Sequence, residues 1–155
     1  MMSDASAPDT VAWHRRMAVQ SNNAAWDLIE RENLNAGECA ELLRLAATAS
    51  SHWKEIGNAD NIASADLLFG WALARSGAGP AAVDAAGRAF AHFSAKQSGA
   101  TGMAFPHAAM AIALFSAGDR EGYLRHYLEA GQIGGRLPNE DRKYFEAAFR
   151  TLPKP

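Results

Sequence analysis

The 155-residue chain has a single cysteine, Cys39, and so no internal disulfide. Cys39 lies in a helical pattern where a small apolar residue would serve as well, so it reads as an inert thiol and not as a nucleophile. An excess of one charge is missing too: 15 Lys and Arg stand against 17 Asp and Glu, giving a net charge of −2 with the signs interspersed. That balance lacks the basic footprint of a nucleic-acid binder or of a protein that holds an acidic membrane surface. No apolar run is long enough to span a bilayer, and the opening MMSDASAPDT lacks the basic-then-apolar layout of a secretory signal. Valine, isoleucine and threonine, which strands favour, are scarce. There is no G-x-S-x-G, no Walker glycine loop and no G-x-G-x-x-G after a strand. These absences predict a cytoplasmic protein of bacterial style, with no nucleic acid, no membrane and no cofactor among its partners.

Alanine is the commonest residue, and small apolar side chains let helices pack closely, so the chain reads as all-α. Its length fits one domain, expected over residues 10–155, after a small polar lead-in over residues 1–9 that is expected to be disordered. The stretch from Ile62 to Phe93 is the centre of the pattern. Ile62, Ala65, Leu68, Phe69, Ala72 and Leu73 keep helical spacing while Leu67, Trp71 and Ala74 fill the other side, so this helix is predicted to be buried nearly all round. Gly77 and Gly79 allow a tight corner, and Pro80 suits the first turn of the next helix. That second helix is one-sided, with Val83, Ala86, Phe90 and Phe93 inward and Asp84, Arg88, His92 and Lys96 on a solvated face.

On either side the same reading predicts five further helices. The first is capped by Thr10 and runs to about Glu32 with Trp13, Met17, Ala24 and Leu28 inward and Ala25 and Ile29 beside them, and Ser21, Asn22 and Asn23 mark a kink or break in its middle. The second runs from Ala36 to Ile56. Lys96 to Gly102 reads as a flexible connection, Pro106 as the opening turn of a fifth helix, and Asp119 as the cap of a sixth that turns Tyr123, Leu124, Tyr127 and Leu128 inward and leaves His126 in water. A seventh, capped by Asn139, is expected to bury Tyr144, Phe145 and Phe149 as a terminal cap.

A weak internal period joins these helices. Ala40, Ala82 and Tyr123 recur at a step of about 41 residues, as do Ala47, Ala89 and Ala130, and the closing glycines Gly77 and Gly118 share it. A hairpin repeated about three times cannot bury its face alone and must stack on the next. The offsets Gly70, Gly77, Ala82 and Ala89 resemble a degenerate tetratricopeptide repeat, with Asp66 where the early tryptophan of that repeat falls. More specifically, ASSHWKEIGNADN, GWALARSG, SAGD and EDRKYF, spread over Trp26 to Pro153, are similar to a family of small, uncharacterised bacterial tetratricopeptide-like proteins. The resemblance implies a right-handed superhelix of about three antiparallel hairpins with a C-terminal capping helix, and brings no assigned activity.

The function expected is a non-catalytic scaffold that binds a protein or peptide, or a second copy of itself, in a groove lined by the first helix of each pair. The alternative is a small-molecule binder or an enzyme of unrecognised type, with His52, Trp53, Asn61 and His107 around a pocket between helices. His52 falls beside the apolar stripe of its helix, where a hydrogen bond to a carbonyl or to Asn61 would explain it without any ligand. His107 opens a very apolar helix and is more often a solvated residue there. The five histidines show no i,i+4 or C-x-x-C spacing, so no metal site is expected. Glu140, Asp141 and Arg142 read as helix-end electrostatics rather than acid-base chemistry.

Overall fold

The computed structural model describes residues 7–155, and at positions 7, 100 and 101 the backbone alone. The expected lead-in falls for the most part outside the described residues. Seven helices and no strand occur among those described: α1 (Ala7–Ile29), α2 (Ala36–Ile56), α3 (Ala59–Arg75), α4 (Gly79–Ala95), α5 (Gly99–Ser116), α6 (Arg120–Gly135) and α7 (Asn139–Phe149). The closest pairings are α1 with α2, α3 with α4, and α5 with α6, so the fold is three antiparallel hairpins stacked in order. The first helices also touch in series, α1 on α3, α3 on α5 and α5 on α7, while no comparable contact joins α2 to α4 or α4 to α6. The stack therefore curves, with the first helices on its inner side.

Helix ends follow local chemistry. Asn35 and Asn58 form capping boxes with Glu38 and Asn61 at the starts of α2 and α3, and Asp119 Oδ1 accepts the N–H of Gly122 at the start of α6. Gly77 and Gly118 close the second and third hairpins in the left-handed region, at φ of 82° and 84°. At both corners the next N–H returns five residues, Ala78 to the Leu73 carbonyl and Asp119 to the Leu114 carbonyl, each at 2.9 Å. The α4–α5 corner repeats this bond from Ser98 to Phe93 with Gln97 at φ 53°. There the expected flexible connection is instead a three-residue corner, and α5 starts at Gly99. Pro106 accordingly lies inside α5 and not in its opening turn.

Close approach replaces bulk along the central hairpin. A Cβ on Gly70 would sit 2.7 Å from the Ala86 backbone nitrogen, and one on Gly79 would sit 2.5 Å from the Ala117 backbone, so α3 meets α4, and α4 meets the end of α5, almost backbone to backbone. The repeat register holds between the second and third hairpins, where Ala82 and Tyr123, and Ala89 and Ala130, are all buried. It fails in the first: Ala40 and Ala47 are exposed, and Leu42, Ala46 and Ala49 face the core instead.

Three expected faces are rotated. α1 runs unbroken through Ser21; Ala25 and Ile29 are buried as expected, but they are joined by Ala18 and Ser21 while Trp13 is 45 % exposed. Thr10 lies within this helix rather than at its cap. In α6, Gly122, Tyr123, Ala130 and Gly134 are buried, Leu124 and Leu128 face out, and His126 turns inward. In both helices the small residues go inward, because a neighbouring helix gains more contact by coming close than by meeting a large side chain at a distance. In α7, Phe145 is fully buried against Gly134 and Phe149 is half-buried, but Tyr144 is 66 % exposed. Asn139 begins this helix without a side-chain cap bond.

An aromatic ladder ties the hairpins together. Trp71 of α3 meets Trp26 of α1 edge-on, Trp26 meets Phe105 of α5, Phe105 meets Phe145 of α7, and Phe145 stacks on Phe149, which meets Tyr127 of α6. Each such pair contributes about 0.5–1.5 kcal/mol beyond its buried area. α7 is thus bound to the third hairpin as a cap. The Tyr123 hydroxyl adds a hydrogen bond to the Pro153 carbonyl, and burial pushes its pKa up to about 12.

Candidate functional site

The inner side of the stack holds a groove of about 760 Å³. Its floor is Trp26 of α1, Leu67 of α3, and Phe105 and Pro106 of α5, with Phe93 at the end of α4 and Tyr144 of α7 along its edge. Asn22, Asn23 and Asp27 of α1, with Glu30 just past its end, form one bank. The surface continues past Gly102, Phe105 and Tyr144 into a smaller hollow bounded by Leu137 and Asp141. The ladder explains why aromatic rings reach this surface: Trp26 is wedged between the buried Trp71 and Phe105, at ring separations of 5.6 and 5.5 Å, and keeps part of its ring in the groove. Beneath it the Trp71 indole N–H has no hydrogen-bond partner among the described residues.

The charge pattern of the groove is one-sided. Asp27, Glu30 and Asp141 border it, and no lysine, arginine or histidine does. Two cations near the end of α1 are engaged elsewhere. Arg31 pairs with Glu38, and Arg75 donates to the carbonyls of Ile29, Arg31 and Glu32 at 3.1, 2.7 and 3.3 Å, satisfying the carboxyl end of α1. Burial holds the Arg75 pKa below the ordinary arginine value.

The four residues expected around a pocket are distributed otherwise. Trp53 and Asn61 come close at the α2–α3 corner, where a Cβ on Gly57 would meet the Asn61 Cβ at 2.9 Å and the Trp53 ring at 3.2 Å. The Asn61 side chain accepts the N–H of Asn58 at 3.1 Å, so it caps α3 and does not bind His52. His52 instead meets His14 of α1, Nδ1 to Nδ1 at 2.8 Å, with the Trp13 ring edge-on beside it. His107 meets His126 of α6 in the same way at 3.0 Å, against Phe90. None of the four lines the groove. No group of three or more metal-ligating side chains occurs among the described residues.

Sequence reasoning also missed the polar seam between α3 and α4. Arg88 and His92, assigned to a solvated face, reach Asp66 at 3.1 Å and Asp60 at 2.8 Å, and Lys96 shares Asp60. Hydrogen bonds from Lys96 and His92 hold the Asp60 carboxyl below its usual range. Asp66 is therefore buried as an ion-paired group. The signal available in the sequence was the i,i+4 recurrence of Arg88, His92 and Lys96 opposite Asp66 and Asp60 six apart.

No helix of the described residues is long and apolar enough to cross a membrane. Comparison with family models, curated proteins and solved structures finds no match to the chain.

Proposed function

We propose that this chain is a non-catalytic interaction scaffold that takes a segment of another protein into the groove along α1, α3 and α5. The single observation behind this reading is the groove itself: an aromatic-floored surface on the first helices of stacked hairpins, where Tyr144 remains largely exposed although it is a large ring. An unsatisfied apolar surface of this kind gains free energy by covering. The step from helical-hairpin architecture to protein binding is an analogy of fold. The bacterial cytoplasm as its setting, and kinship with the small tetratricopeptide-like proteins, belong to the same proposal and rest on the lone thiol Cys39 and on the residues Gly70, Gly77, Ala82 and Ala89.

The test is selection of binders from a displayed random-peptide library on the intact chain, followed by hydrogen-exchange mapping of a selected peptide. Protection is expected in α1, α3 and α5 and loss of binding in Phe105→Glu. Peptides that protect α2, α4 and α6 instead, or a selection that yields none, would overturn the scaffold reading.

A further inference from the structure

We infer that the segment this groove takes is cationic, presenting an arginine or lysine with apolar neighbours; the inference rests on the scaffold reading. Three features converge on it. The first is charge without a partner. Asp27, in the last turn of α1, and Glu30, just past its end, border the groove and make no ion pair among the described residues. Arg75 covers the last carbonyls of α1 but does not line the groove. Asp141 adds a third carboxylate where the hollow continues.

The second is the floor. Trp26, Phe105, Phe93 and Tyr144 offer ring faces and edges beside those carboxylates. A guanidinium stacks on such faces, and the aliphatic stem of arginine or lysine covers apolar surface while its head reaches a carboxylate. An acidic or wholly aliphatic segment would leave Asp27 and Glu30 desolvated without compensation.

The third is the backbone of α5. Pro106 has no N–H to give the carbonyl of Gly102 four residues earlier, and both residues line the groove. The Gly102 carbonyl thus lacks its ordinary helical donor. Donor-rich side chains fit a surface composed in this way of carboxylates, rings and a spare carbonyl, on which no cationic side chain competes.

The experiment uses the intact chain and two labelled, end-blocked peptides, one with arginines among leucines and one in which each arginine is replaced by citrulline, read by fluorescence anisotropy. The arginine peptide is expected to bind about tenfold more tightly than the citrulline peptide and to weaken as salt is raised. Asp27→Asn with Glu30→Gln should remove that difference. Equal binding of both peptides, or an unaltered preference in the double variant, would overturn the inference and leave the scaffold reading intact. Groove protection by selected peptides that are acidic or neutral would do the same. If neither peptide binds and the library yields none, both readings fall. Spermine competing as tightly as the arginine peptide would assign the groove to a small cation. Self-association through the hollow lined by Arg142, Lys143, Arg150 and Lys154, seen as a mass that rises with concentration and falls in the double variant, would assign it to a second copy. Either result overturns the peptide assignment.

Discussion

His107 and His126 face each other across α5 and α6 with their Nδ1 atoms 3.0 Å apart and the Phe90 ring edge-on to both. At that distance one nitrogen donates and the other accepts, so the pair holds one bridging proton and resists a second. Burial lowers both pKa values, and for His126 the charge of His107 and then of Arg125 lowers it further, against the opposing pull of Glu129 and Asp119.

The first prediction follows from that direction. In the unfolded chain both histidines titrate near 6.5, and in the folded chain they titrate lower, so below about 6.5 the unfolded state binds protons that the native state refuses. Stability should be fully present above about 6.5 and decline as pH falls toward the depressed values. His126→Leu should flatten thermal melts across that window, and melts that shift with pH as in the wild type would show that the pair is not responsible. The carboxyls held low, Asp60 and Glu41, titrate in a more acidic range and do not confuse the test.

Gly70→Ala and Gly87→Ala should move stability in opposite directions. Both glycines are inside helices, where alanine is intrinsically better by about 1 kcal/mol. At Gly70 the new Cβ would lie 2.7 Å from the Ala86 backbone, forcing α3 from α4 at a cost of about 1–3 kcal/mol, whereas at Gly87 nothing lies within 4 Å. Urea midpoints that rise for both variants would refute the close-approach reading of the central hairpin.

Phe145→Ala should cost about 3–5 kcal/mol, because the ring is fully buried and bridges Phe105, Phe149 and the cleft left by Gly134. A change under about 1 kcal/mol in denaturant titration, on the scale of an exposed site, would mean that α7 is not the cap of the third hairpin.

Arg75→Lys should destabilise although charge is kept. One ammonium cannot reproduce a fork that serves the carbonyls of Ile29, Arg31 and Glu32 together. A loss of about 1.5–3 kcal/mol is expected for these charged hydrogen bonds, with faster amide exchange at the end of α1, and wild-type stability would contradict it.

Helix existence was legible wherever a stop or a cap was written in the chain. α2 falls at the expected Ala36–Ile56, Gly77 and Gly118 close their hairpins, and the all-α stack with a terminal helix follows from them. Which way a helix faces was less legible. In an alanine-rich helix the apolar face is broad, so Trp13 and Leu124 look as inward as Ala18 and Ala130, and contact with the neighbour decides. Partners across helices were not legible at all: that His52 finds His14, and His107 finds His126, depends on the axial offset of antiparallel helices, which spacing within one helix does not encode. Tyr144 was assigned to the core for its size, and its exposure is what draws notice to the groove.

The backbone-to-backbone contacts at Gly70 and Gly79 also have a mechanical meaning. A seam packed through side chains can yield by rotamer changes, but one in which main chains touch offers none, so the second and third hairpins act as a stiff unit. α7 is held differently, through the rings of Phe145 and Phe149, whose seats can tilt. Amide exchange should accordingly open α7 ahead of α3 and α5, and the reverse order would exclude this picture. The groove then resembles a vice, with α3 and α5 as the fixed jaw and the Tyr144 side of α7 as the jaw that sets the aperture.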